Sequence, residues 1–145
     1  MGAAAVAVLL AVLALAARAP AVASTGRSAR PPQAWLARRF LLQVLAHKQR
    51  AAYAALGPGA PARLSRKEFA VRADQLRRQG RSWGPAIELY KLGWRLAEGK
   101  PAVLFYQFTF AADSIKPGPH VLLDVTFQDS LATQPSGFGL VSRRP

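Results

Sequence analysis

The chain has 145 residues, 51% of them hydrophobic, which is enough for one domain with a true core. Its formal net charge of +13 admits either an anionic partner or an arginine-rich soluble surface. The absence of cysteine excludes disulfides, thiol catalysis and thiolate metal sites, and His47 and His120 match no metal-ligand spacing.

Residues 3–16 form an unbroken apolar run, followed by Arg18, Pro20 and Ala21-Val22-Ala23 ahead of Ser24. That is a hydrophobic region of signal-peptide length ending in an A-x-A cleavage site, so residues 1–23 are expected to be removed and the protein to be secreted or periplasmic. No Lys or Arg precedes the run, and the alternative is an uncleaved membrane anchor over residues 3–17, short for a spanning helix. Residues 24–33, rich in Ser, Arg and Pro, are predicted to be a linker. Its arginines would give weak attraction to an anionic membrane surface. A single domain is expected over 34–145.

From Ala34 to Leu56 the pattern predicts one helix. Trp35, Leu36, Phe40, Leu41, Val44 and Leu45 make a stripe at three-and-four spacing, Tyr53 and Leu56 extend it, and Gly57-Pro58-Gly59 stops it. His47 falls beside the polar side as an exposed residue. Between Leu64 and Gly80, Ser65 followed by Glu68 predicts a capping box, with Leu64 and Phe69 as its hydrophobic staple. Phe69, Ala73 and Leu76 continue one face, and Gly80 is the expected stop. The cluster Arg72, Arg77, Arg78 and Arg81 can grip phosphate, but no interleaved exposed aromatics accompany it, which disfavours nucleic acid.

Residues 86–97 fit a helix through Leu89, Leu92 and Leu96, or a strand through Tyr90, Leu92, Trp94 and Leu96. Gly93 in the middle favours the strand. Glu98-Gly99-Lys100-Pro101 then turns the chain into Val103–Phe110, whose two alternating sets are both largely apolar and call for cover on both sides. Val121, Leu123, Val125 and Phe127 alternate with more polar neighbours in a third strand, and Phe138, Leu140 and Val141 suggest a short last one. The expectation is an α+β fold, its N-terminal helices packed on one face of a curved antiparallel meander of three to four strands.

Phe40-Leu41, Val44-Leu45, the Ala51–Leu56 segment and the phrase Leu64-Ser65-Arg66-Lys67-Glu68-Phe69, followed by the meander, carry a resemblance. Residues 36–145 resemble the small secreted bacterial domains of the nuclear-transport-factor-2-like (cystatin-like) superfamily, many of them domains of unknown function. The resemblance implies a cone with a pocket between the concave sheet face and the helices. Some members are isomerases or cyclases that use a carboxylate or histidine base there, and many others only bind or dimerise. This chain departs where the family commonly closes with a tryptophan-bearing strand, since Gly137-Phe138-Gly139-Leu140 stands there.

An isomerase or cyclase would need a base and an oxyanion donor. Asp124 and Tyr106 are the candidates, against the alternative that Asp124 faces solvent and Tyr106 is core. His120, at a strand start after Pro119, is expected to be solvated loop. Trp35, Tyr53, Trp94, Tyr106 and Phe108 are the candidates to line a pocket for a small apolar ligand, the alternative being core or dimer packing. No phosphate loop, nucleophile constellation or cofactor motif is present, and no cofactor or metal is expected. A two-faced sheet with few helices leaves one face in need of cover, so homodimerisation through the sheet is predicted. The favoured function is an exported, non-catalytic binding or interaction protein. The alternatives are an isomerase or cyclase and a cationic protein that binds envelope or nucleic acid.

Overall fold

The computed structural model describes residues 32–114 and 118–142. The signal segment over 1–23, nearly all of the expected linker, residues 115–117 of the long loop and the last three residues lie outside them. Among these residues three α-helices, α1 (Gln33–Leu45), α2 (Gln49–Ala54) and α3 (Arg66–Trp83), precede four strands, β1 (Ile87–Ala97), β2 (Lys100–Phe110), β3 (Val121–Phe127) and β4 (Gly137–Ser142). The strands form one open antiparallel sheet in the order β1-β2-β3-β4. The α+β class and the meander are as the sequence predicts. Segment 87–97 is a strand, and Glu98-Gly99 makes its two-residue turn with Gly99 at φ 68°.

Pairing fixes the faces. Phe110, Phe108, Tyr106 and Leu104 of β2 share one face with Leu123, Val125 and Phe127 of β3 and with Phe138 and Leu140 of β4. α1 and α3 bury Ala37, Phe40, Leu41 and Val44, and Phe69, Ala73 and Leu76, in the core formed on that face. Phe40, Phe69 and Phe138 meet edge-on or tilted, with centroids 4.9–6.4 Å apart, and Tyr53 stands at 90° to Phe69.

The helix expected over 34–56 is instead two. Its break is a C-terminal motif in which the His47 N–H reaches Val44 O (3.2 Å) and the Lys48 N–H reaches Gln43 O (2.9 Å). His47 takes the left-handed position, at φ 60°, that glycine usually fills. The break lets α2 turn back and bury Ala52. Gly80 likewise does not stop α3, which continues to Trp83 and ends at Gly84, φ 84°, just before Pro85. Gly80 serves close packing: a Cβ there would lie 3.2 Å from Leu45 Cδ2 and 3.7 Å from Phe110 Cε1. The capping box forms as predicted, Glu68 N donating to Ser65 Oγ and Ser65 N to Glu68 Oε2. The Ser65 backbone and hydroxyl bonds, and then Arg72, hold the Glu68 carboxyl below its ordinary range.

Gln33, expected in the linker, is part of the domain. Its Nε2 donates to Asp129 O (2.9 Å) and Ala132 O (2.6 Å), and its Oε1 accepts from the Tyr106 hydroxyl (3.2 Å). One side chain thus ties the start of α1 to the central strand and to the β3–β4 turn.

Candidate functional site

The register separates the two catalytic candidates. Asp124 pairs with Gln107, and Tyr106 pairs with Val125, so Asp124 and Tyr106 lie on opposite faces of the sheet. Asp124 is neither free nor solvent-facing. It is 6% exposed, its two oxygens accept from Arg95 Nη1 and Nη2 at 3.1–3.3 Å, and Oδ1 also accepts from Gln107 Nε2 at 3.1 Å. Arg95 crosses the ring of Phe105 at 5.1 Å to reach it. This carboxylate is an ion-paired anchor, with no lone basic oxygen aimed into a cavity. The Gln107 carbonyl oxygen is buried without a partner among the described residues. Tyr106 packs edge-on against Phe127, and burial raises its phenol above the ordinary range, which suits a core donor to Gln33.

The five residues expected to line one pocket do not converge. Tyr53 packs on Phe69 and donates to Leu64 O, while Tyr106 and Phe108 are core. Trp94 is half-exposed on β1. Trp35, half-exposed on α1, lines a surface groove of about 480 Å³. The arginines of α3 do not form one cluster either. Arg77 is buried, pairs with Asp74, and donates to the Gln49 amide oxygen in the orientation that satisfies both groups. Burial first, and then Arg81, lowers its affinity for the proton. Arg72 donates to Phe138 O.

His120 has a more specific partner than a solvated loop would give it. The Asp113 carboxylate, 1% exposed, accepts from the His120 and Val121 backbone N–H groups (2.9 Å each) and lies 2.7 Å from His120 Nδ1. Burial pushes this carboxyl up, but the imidazole and the two amides outweigh it and hold the acid below its ordinary range. The imidazole stacks on Trp83 at 5.9 Å and 11°. An Asp–His pair supplies two of the three members of a hydrolytic triad, but among the described residues no hydroxyl is bonded to His120. Its role here is to clamp the β2–β3 loop to α3.

The feature that stands out on the surface is β1. It is an edge strand of 11 residues, paired with β2 on one side and with no strand on its outer side among the described residues. Leu89, Leu92 and Trp94 pair with Phe108, Tyr106 and Leu104 and so belong to the helix-side face, yet they are 45–56% exposed. Leu96 is 78% exposed. Glu88, Lys91 and Arg95 take the opposite face. Tyr90 is the extra residue of a bulge between Leu89 and Lys91. The alternation of apolar and charged residues was visible in the sequence. That the apolar half would stay uncovered was not, since the same pattern describes a half-buried strand.

Among the described residues no helix is long and apolar enough to cross a membrane, and no group of acidic and histidine side chains could hold a metal ion. Set against known proteins, the chain matches no family model, no curated protein and no solved structure.

Proposed function

We propose that this is an exported, non-catalytic interaction protein that self-associates through the β1 edge, joining two four-stranded sheets across a two-fold axis. The observation that carries this is the exposed row Leu89, Leu92 and Trp94 on a long edge strand whose outer side has no partner strand among the described residues. An apolar edge with free backbone donors and acceptors is a template for another strand, and proteins normally blunt or cover it. A second copy fits best because β1 is self-complementary. Antiparallel pairing centred on Leu92 sets Trp94 against Leu89 once the Tyr90 bulge is counted, and on the other face it sets Arg95 opposite Glu88. The Ala3–Ala16 run and its A-x-A site support export. The helices-then-meander order, with the capped Leu64–Phe69 phrase, supports placement in the nuclear-transport-factor-2-like superfamily.

Light scattering or sedimentation at micromolar concentration tests the assembly. The expected result is a dimer that Leu92→Lys converts to a monomer with unchanged far-ultraviolet circular dichroism. A monomeric wild-type protein at that concentration removes the reading.

A further inference from the structure

A second surface, independent of the β1 edge, lies on the outer side of α1. The first 67 residues hold ten of the twenty Lys and Arg and none of the seven acidic residues, Glu68 being the first. α1 gathers part of this charge on one side. Residues 35, 38, 39, 42 and 46 follow helical spacing on the side opposite Phe40, Leu41 and Val44, which enter the core. The turn at His47 then brings Lys48 to the end of the same groove, which Trp35, Arg38, Arg39, Leu42, Ala46 and Lys48 line over about 480 Å³. The three cations are exposed, and no acidic side chain borders them there. Arg39 rests over the Trp35 indole at 5.3 Å.

We propose that this face docks on an anionic phospholipid surface, with lipid phosphates held by Arg38, Arg39 and Lys48 and the Trp35 indole seated at headgroup level. Charge complementarity argues for an anion. The mixture argues for a lipid: a half-exposed indole beside Ala46 and the core-packed Leu42, set between cations, is the composition of an interfacial helix face, whose aromatic side chain sits at headgroup level. A nucleic-acid track would need a row of cations with aromatics free to stack on bases, whereas the one indole here is already covered by Arg39.

The test uses the full chain with sedimented vesicles of pure phosphatidylcholine, and of phosphatidylcholine with about one third phosphatidylglycerol. The difference between the two vesicle types removes any contribution from the apolar N-terminal run. Each Lys or Arg near an anionic surface contributes about fivefold to partitioning, so R38Q/R39Q/K48Q should lose roughly a hundredfold of the anionic-lipid-dependent binding. A control with equal charge loss elsewhere, R78Q/R81Q/K91Q, should lose much less. A blue shift of tryptophan emission on anionic vesicles should vanish in Trp35→Phe, while Trp94→Phe keeps it. Equal losses in the two triple variants would mean diffuse charge and overturn the proposal. So would displacement by millimolar inorganic phosphate, which marks a free-anion site, or binding of a DNA duplex that the groove variant abolishes while vesicle binding persists. Because Leu92→Lys leaves this groove intact, a failed dimer and a failed lipid surface are read separately.

Discussion

The Tyr106 hydroxyl donates to Gln33 Oε1 at 3.2 Å across 73 residues of sequence, and the same amide's Nε2 holds the carbonyls of Asp129 and Ala132. Gln33→Ala removes all three bonds and leaves Tyr106 without its acceptor. It should cost about 2 kcal/mol, and Tyr106→Phe, which breaks one bond, about 1. Urea unfolding of both single variants and the double variant checks this. The second substitution should cost less in the presence of the first, because they share a bond.

Asp113 links stability to pH. Its folded carboxyl is held below the ordinary range, so the unfolded chain takes up its proton first as pH falls. Its contribution is therefore complete above the unfolded carboxylate value of about 3.9 and is lost as pH drops through the lower folded value. Asp113→Asn should lower stability at pH 7 and flatten the acid limb of the stability profile. An unchanged acid limb in a folded Asp113→Asn protein would contradict the clamp.

Two of the positive-φ positions, His47 and Gly84, respond oppositely to substitution. His47→Gly relieves a side chain held at φ 60° and should raise the melting midpoint, by at most about 1 kcal/mol of stability. Gly84→Ala places a Cβ at φ 84° and should lose about 1 kcal/mol through the backbone alone, because nothing lies within 4 Å of that Cβ. Thermal denaturation of the two variants side by side tests the pair.

Removing the Arg95 guanidinium strands the buried Asp124 carboxylate. Since Arg95 itself is 46% exposed, Arg95→Met should cost about 2 kcal/mol, less than breaking a fully buried pair. The same substitution in an Asp124→Asn background should cost clearly less, because the neutral amide no longer needs a cation. Equal costs in the two backgrounds would mean that Arg95 acts through its packing on Phe105 instead.

The chain has no cysteine, so a single one reports on the proposed two-fold axis. Leu92→Cys should form an intermolecular disulfide on mild oxidation, whereas Glu98→Cys in the β1–β2 turn should cross-link far less. Non-reducing electrophoresis distinguishes them. Equal cross-linking at both positions would argue against antiparallel pairing centred on Leu92.

The local sequence carried the strand alternation, the Ser65–Glu68 box and the meander, because each rests on neighbours within a few residues. It did not reveal the break at His47, which no Gly or Pro marks, and it misread Gly80, whose role depends on Leu45 and Phe110 lying against it. The candidate site was less legible still. Asp124 and Tyr106 are both visible as strand residues, but only the pairing Gln107↔Asp124 shows that they face opposite ways. Arg95 gave no sign that it would reach Asp124, 29 residues ahead.

By itself, then, the sequence determined the class of the fold and the strip of apolar residues along β1, because periodicity and capping are short-range properties of a chain. Tertiary structure alone decided that Leu89, Leu92 and Trp94 stay exposed on the helix-side face, and that the carboxylate expected as a base is tied to an arginine. Both depend on where elements far apart in sequence come to rest, and local pattern does not encode that placement.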